Sequence, residues 1–272
     1  MSEFSKNKHP FHLVDPSPWP FALSMGLLVF IIGSILAMHK LDYILFGIGL
    51  LCVLAVISAW LLDVVKESRQ KGAHTKHVQN GLKIGMVLFI ISELMLFFAF
   101  FWSYFNAALD PIAYINDQFT KGVWPPQGIK TLEAFDLPYL NTLILLLSGT
   151  TVTWAHHALK QNNMKDTRRG LLLTIILGLI FTMLQALEYG HTAFKFTDGI
   201  YATTFFLATG LHGAHVVVGT LLLLVCYIRT FKEGDITQHH HVGFETSIWY
   251  WHFVDIVWIF LFCSIYWWGG SV

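Results

Sequence analysis

The chain has 272 residues, 55% hydrophobic and only 12% charged, and its 17 Lys and Arg balance its 17 Asp and Glu. Soluble domains carry about twice that charged fraction, so an ordinary soluble fold is excluded, and the neutral balance excludes a nucleic-acid footprint. Cys52, Cys226 and Cys263 all lie in apolar runs, without metal-site clustering or a disulfide framework, and read as small packing residues.

In chain order, residues 1–18 form a polar, proline-broken N-terminal segment containing Pro10, Pro16 and Pro18. It has neither the apolar core of a signal peptide nor the arginine content of a transit peptide. The first apolar span is therefore expected to act as its own insertion signal, as in a bacterial protein or one made inside an organelle. Seven runs are near the roughly 20 apolar residues a crossing helix needs: Trp19–Met38, Tyr43–Leu62, Ile84–Leu109, Leu137–Leu159, Leu171–Phe194, Ile200–Ile228 and Phe244–Trp268. The expected fold is all-α and polytopic, since unpaired backbone groups cannot face lipid. Residues 19–65 make a two-helix unit, 66–83 an inner-side loop rich in His and Lys, and 84–272 a five-helix bundle. The loop from Asp110 to Asp136 carries a Trp124-Pro125-Pro126-Gln127-Gly128 turn.

Lys and Arg set the orientation. With the N-terminus inside, 13 of the 17 basic residues fall on that side: Lys6, Lys8, Lys66, Arg69, Lys71, Lys76, Lys83, Lys160, Lys165, Arg168, Arg169, Arg229 and Lys232. Seven spans then put the C-terminus outside. Trp19, Trp60, Trp102, Trp267 and Trp268 fall near span ends, as interfacial anchors do.

Ionisable residues at membrane depth are functional candidates by default. Glu93 lies mid-span in Ile91-Ser92-Glu93-Leu94-Met95. It reads either as a proton-handling or conformational group or as an acid hydrogen-bonded to a neighbouring helix. His252 and Asp255, and likewise Glu188 and His191, stand three apart on one helical face. Both pairs read as structural links between helices in preference to proton relays. His212 and His215 share a face beside Gly210, Gly213 and Ala214, a pattern of close helix packing. Fourteen histidines also admit a haem or metal reading. With no nucleophile motif, phosphate loop or zinc signature, neither a catalytic residue nor a metal ligand is assigned. At the inner headgroup level Lys66, Glu67, Arg69, Lys71, His74 and Arg229 gather into a cluster that can hold anionic lipid headgroups.

Several motifs follow one another along nearly the whole chain: His12-Leu-Val-Asp15-Pro16-Ser17-Pro18-Trp19-Pro20, Phe89-Ile-Ile-Ser-Glu93, Phe100-Phe-Trp102, Trp124-Pro-Pro126 and Trp154-Ala-His156-His157. Thr209-Gly-Leu-His212-Gly-Ala-His215, Gly243-Phe-Glu245, Trp249-Tyr-Trp-His-Phe-Val-Asp255 and Ile265-Tyr-Trp-Trp-Gly269 complete the set. In these the chain resembles subunit III of the aa3-type cytochrome c oxidases, the haem-copper terminal oxidases of bacteria and mitochondria. The resemblance implies seven transmembrane helices arranged two plus five around a V-shaped cleft filled with phospholipid. It implies that this chain carries no redox centre, with haem a, haem a3 and copper held by partner subunits I and II. Subunit I is the implied main contact, in a bacterial inner membrane or the mitochondrial inner membrane. The implied role is support of proton uptake by subunit I and protection of the complex from inactivation during turnover.

By position, Glu93 matches the family's intramembrane carboxylate facing the cleft, and Glu67, His74 and Arg229 match its headgroup contacts. The chain departs from the family at Ala59-Trp60-Leu61-Leu62, where an aromatic pair usually precedes the acid matching Asp63. It departs again at Lys66, where Arg is common and Lys offers a point charge instead of a planar fork. From the residues alone, a proton-coupled secondary transporter using Glu93 and Asp255 is the alternative, although no internal repeat is visible.

Overall fold

The computed structural model describes residues 11–12, 16–39, 43–69, 75–114, 121–232, 234–238 and 240–271, so His74 and Lys71 lie outside the described residues. The chain divides into two compact units, Met1–Leu82 and Lys83–Val272. The described secondary structure is entirely helical.

The first unit is built on α1 (Trp19–Met38) and α2 (Ile44–Ser68). They approach closely because glycine stands at the crossing. A Cβ on Gly33 would lie 2.5 Å from the Phe46 backbone nitrogen, and one on Gly49 would lie 2.5 Å from Phe30 Cα. Helix association in lipid depends on such packing, since burial against another apolar surface gains nothing over lipid tails. At the other end of the pair the Trp19 indole donates to Asp63 Oδ2 at 2.8 Å, and Lys66 Nζ lies 2.8 Å from Asp63 Oδ1.

In the second unit α4 (Leu137–Lys160), α5 (Met164–His191), α6 (Ile200–Arg229) and α7 (Val242–Leu261) pack each on the next, and α7 returns to α4. The ring closes around Trp251, which is fully buried. Two glycines make its slot. A Cβ on Gly178 would meet Trp251 Cη2 at 2.8 Å, and one on Gly219 would meet Cε3 at 2.9 Å. Polar groups then lock the helices: the Trp251 indole donates to Ser148 Oγ at 2.9 Å, that of Trp258 to Thr142 Oγ1 at 3.0 Å, and Tyr189 Oη to Thr209 Oγ1 at 2.7 Å. Helix α3 (Lys76–Leu109) enters this unit from Lys83 onward and joins it through long side chains: Phe101 packs edge-on to Phe260 at 4.5 Å, and Tyr104 on Trp124 at 5.4 Å. Beyond Leu261 the α7 axis runs on as a π-helical segment, Phe262–Trp268, whose Ser264 carbonyl accepts from Tyr104 Oη at 3.4 Å.

Among the described residues there are seven long helices, and six of them, α1, α2, α3, α5, α6 and α7 with its π segment, are long and apolar enough to cross a membrane. In α1, α2 and α3 only 11% of the most apolar window is buried, so these helices turn hydrocarbon outward. The exception, α4, has 24 residues, about 36 Å of helix, but spends its inner face on Asn141, Thr142, Ser148 and Gly149. Those residues serve the interhelical hydrogen bonds and close approach just described, which lowers hydropathy without shortening the helix.

The loop expected over residues 66–83 is largely helical. Helix α2 continues to Ser68 and α3 starts at Lys76. Hydropathy marks where a helix leaves lipid, whereas Lys, Glu, Gln and His let it run on into water. Helix α5 likewise starts at Met164, seven residues before its apolar run, because Asn163 caps it: Oδ1 accepts from Asp166 N at 3.3 Å.

Candidate functional site

The chemistry-bearing side chains of the second unit are spread along the bundle. At the end where α7 starts, Lys83 Nζ meets Glu245 Oε2 at 2.7 Å, tying α3 to α7. Beside them Arg229, the last residue of α6, has its guanidinium 3.8 Å from the Asp235 carboxylate and 3.4 Å from the Asp235 carbonyl. Arg168 reaches across from α5, donating to the Thr230 carbonyl at 2.6 Å and lying over the Phe231 ring. Lys66 and Glu67 belong to the first unit, where Lys66 is exposed and paired with Asp63. Sequence reading missed the acids that engage Lys66 and Arg229.

At mid-depth Glu93 has a partner. Its Oε2 lies 2.9 Å from His215 Nε2, and His215 Nδ1 lies 2.8 Å from the Leu211 carbonyl. A carbonyl only accepts, so Nδ1 carries a proton. The short Nε2···Oε2 contact then needs one further proton between acid and imidazole. Whichever group holds it, the pair has no net charge, which removes most of the cost of its depth. Phe97 covers the His215 ring at 5.0 Å and Tyr250 stacks on it at 6.2 Å. The close helix packing expected at the glycines beside His215 is not found: a Cβ on Gly213 would meet nothing within 4 Å, and one on Gly210 only the Tyr189 hydroxyl at 4.0 Å. The partner of His215 lies 122 positions away, and no spacing rule finds it.

His252 and Asp255 do come together, Nδ1 to Oδ2 at 3.4 Å. Thr153 of α4 donates to its own Gly149 carbonyl at 2.9 Å, and its oxygen faces His252 Nε2 at 3.2 Å. Glu188 and His191 behave differently from the expectation. His191 Nδ1 turns back to the Leu187 carbonyl at 2.8 Å. Glu188 instead accepts from Tyr266 Oη at 2.7 Å and Gln185 Nε2 at 3.2 Å. The buried acid takes the donors of the bundle interior, whereas the exposed histidine at the helix end turns back to a backbone carbonyl one turn earlier.

His212, His156 and His241 are placed by packing. His212 is buried between Phe181 and Trp258, at 5.8 and 5.1 Å. His156 lies against His241 and Phe244, and His241 Nδ1 is 3.0 Å from the Thr237 carbonyl. Among the described residues no three His, Cys, Asp or Glu side chains converge as a metal ion would require.

The family described as "Cytochrome c oxidase subunit III" matches residues 9–270. The chain belongs to the cytochrome c oxidase subunit III family. The cytochrome c oxidase subunit 3 of Chondrus crispus is 51% identical over 276 residues, covering 100% of this chain and 99% of that protein. That of Arabidopsis thaliana is 50% identical, covering 97% and 98% of the two chains, and a probable cytochrome c oxidase subunit 3 of Rickettsia conorii is 52% identical, covering 95% and 93%. A subunit III is part of an oxidoreductase complex of the respiratory membrane, and six apolar helices make this one an integral membrane protein. The transporter alternative gains no support from these relatives.

Proposed function

We propose that the chain is the non-catalytic subunit III of a proton-pumping cytochrome c oxidase. In that complex subunits I and II hold haem a, haem a3 and copper, oxidise cytochrome c and reduce oxygen to water. The observation that carries an accessory role is how four of the described histidines are spent. His215 binds Glu93 and a backbone carbonyl, His252 binds Thr153 and Asp255, and His191 and His241 bind carbonyls. Imidazoles committed to helix contacts are poorly placed to ligate haem, which needs rings facing one another at matched depth.

On this reading the two-helix and five-helix units enclose a phospholipid-filled cleft, with the N-terminus on the cytoplasmic or matrix side and the C-terminus outside. Subunit I is the principal partner and subunit II shares the complex. Lys66, Glu67, His74 and Arg229 take the headgroups, and Glu93 faces the cleft. In support, α3 and α7 border a groove of about 320 Å³ walled by Phe97, Phe98, Phe101, Trp102 and Phe260, the apolar lining an acyl chain requires. The lipids and the Glu93 pair support proton uptake by subunit I and protect the oxidase during turnover. The test is Arg229→Ala in the intact complex, counting phospholipid by mass spectrometry and following activity through sustained turnover. Fewer bound lipids and faster loss of activity are expected. Unchanged lipid content would refute the headgroup role.

A further inference from the structure

Glu188 stands three residues from the end of α5 and is 4% exposed. Its two oxygens have unlike surroundings. Oε1 accepts from Tyr266 Oη at 2.7 Å and from Gln185 Nε2 at 3.2 Å, whereas Oε2 has no hydrogen-bond partner. An ionised carboxyl accepts at both oxygens, so a charged Glu188 would keep one charged oxygen buried and unpaired. A proton on Oε2 removes that charge and turns the orphan acceptor into a donor. Oε1 then keeps the carbonyl role that its two donors require.

What the proton can reach is set by the neighbours. Glu188 and His191 line a pocket of about 330 Å³ together with Glu133 and Asp136, where α4 starts and α5 ends. His191, Glu133 and Asp136 are exposed. His191 Nδ1 faces the Leu187 carbonyl at 2.8 Å; a carbonyl only accepts, so Nδ1 carries the proton and Nε2 the lone pair. Bulk water does not reach the buried Oε2, and a carrier one turn away does what water cannot. The O–H bond of Glu188 breaks, an N–H bond forms at His191 Nε2, directly or through one water in the pocket, and the imidazolium passes its proton to solvent. The Glu133 and Asp136 carboxylates favour that imidazolium. The reverse path returns a proton to Glu188. The other titratable groups nearby are spoken for: Tyr266 donates to Oε1, and Tyr189 Oη donates to Thr209.

We propose that Glu188 is a protonated acid whose proton exchanges with the aqueous phase at that end of the bundle, through the α4/α5 pocket and by way of His191. The i,i+3 pair is then a proton relay from a buried site to water, and the tie between α5 and the π segment is itself a proton-binding site. With the N-terminus inside, that phase is the outer one; the exchange rests neither on the orientation nor on the oxidase reading.

The test is difference infrared spectroscopy of the intact complex, purified through a tag on this chain. Subtracting Glu188→Gln from wild type is expected to leave one carbonyl band of a protonated carboxyl group. Tyr266→Phe withdraws a donor from Oε1 and should move that band to higher frequency, which identifies it without altering Glu188. In heavy water the band is expected to shift as O–H becomes O–D. His191→Gln keeps the polarity of the pocket mouth and removes the carrier. It is expected to slow the shift about 100-fold, the lower range for a positioned proton-transfer group, with the wild-type melting temperature retained. Absence of the band from both differences would overturn the protonated acid. A band that never shifts in heavy water would overturn the exchange, and a shift as fast in His191→Gln as in wild type would overturn the relay.

Discussion

Replacing Glu93 separates a paired acid from a lone one. In the structure His215 is protonated on Nδ1 by its contact with the Leu211 carbonyl, and its Nε2 faces Glu93 Oε2 at 2.9 Å. Glu93→Gln keeps a donor in place, since the amide N–H can reach a neutral Nε2. Its expected cost is below about 0.5 kcal/mol, the range for changes that preserve contacts. Glu93→Ala leaves Nε2 without a donor on a side chain only 10% exposed. An orphaned buried group costs about 1–3 kcal/mol, and the 21% exposure of Glu93 argues for the lower half of that range. The two variants should therefore differ by about 1–2 kcal/mol, a factor of about 5–30 in the unfolded fraction. Thermal unfolding of the purified complex in mild detergent, following this chain by loss from the assembly, measures the difference. Equal destabilisation by Gln and Ala would refute the pairing argument, because a carboxylate serving only as a charge is lost in both.

Two further outcomes follow from the bundle core. Ser148→Ala orphans the fully buried Trp251 indole N–H and should cost about 1 kcal/mol; a double-mutant cycle with Trp251→Phe should recover most of it, and simple additivity would deny the link. Gly178→Leu drives a side chain into Trp251 and Thr220, with an expected loss of about 1–3 kcal/mol or more, visible as reduced assembly; wild-type assembly would mean the slot is not filled as described.

The legible part of the fold was the part governed by lipid. Helix α1 starts and ends where its apolar run does, and α4 and α6 end within one residue of theirs. Helix ends in water were not legible, because Lys66-Glu67-Ser68 and Lys76-His77 can be helix or loop until caps and neighbours decide. The acids were legible as outliers, and His252 with Asp255 as a local pair. Glu93 with His215 was not, nor Glu188 with Tyr266 and Gln185, since i,i+3 spacing says who can meet on one helix and nothing about the facing one. Gly210, Gly213 and Ala214 beside His215 suggest helix packing, yet Gly213 faces open space and the contact made there is the His215 ring to Glu93.

The central claim is that this chain is an accessory oxidase subunit without a redox centre of its own. It is tested most directly by mild-detergent purification through a tag on this chain, with mass spectrometry of its partners and visible spectra before and after they are stripped. Haem a should co-purify with two larger subunits and leave with them, and the remaining chain should be colourless. A chain that elutes alone, or that keeps a haem spectrum after stripping, would contradict the account.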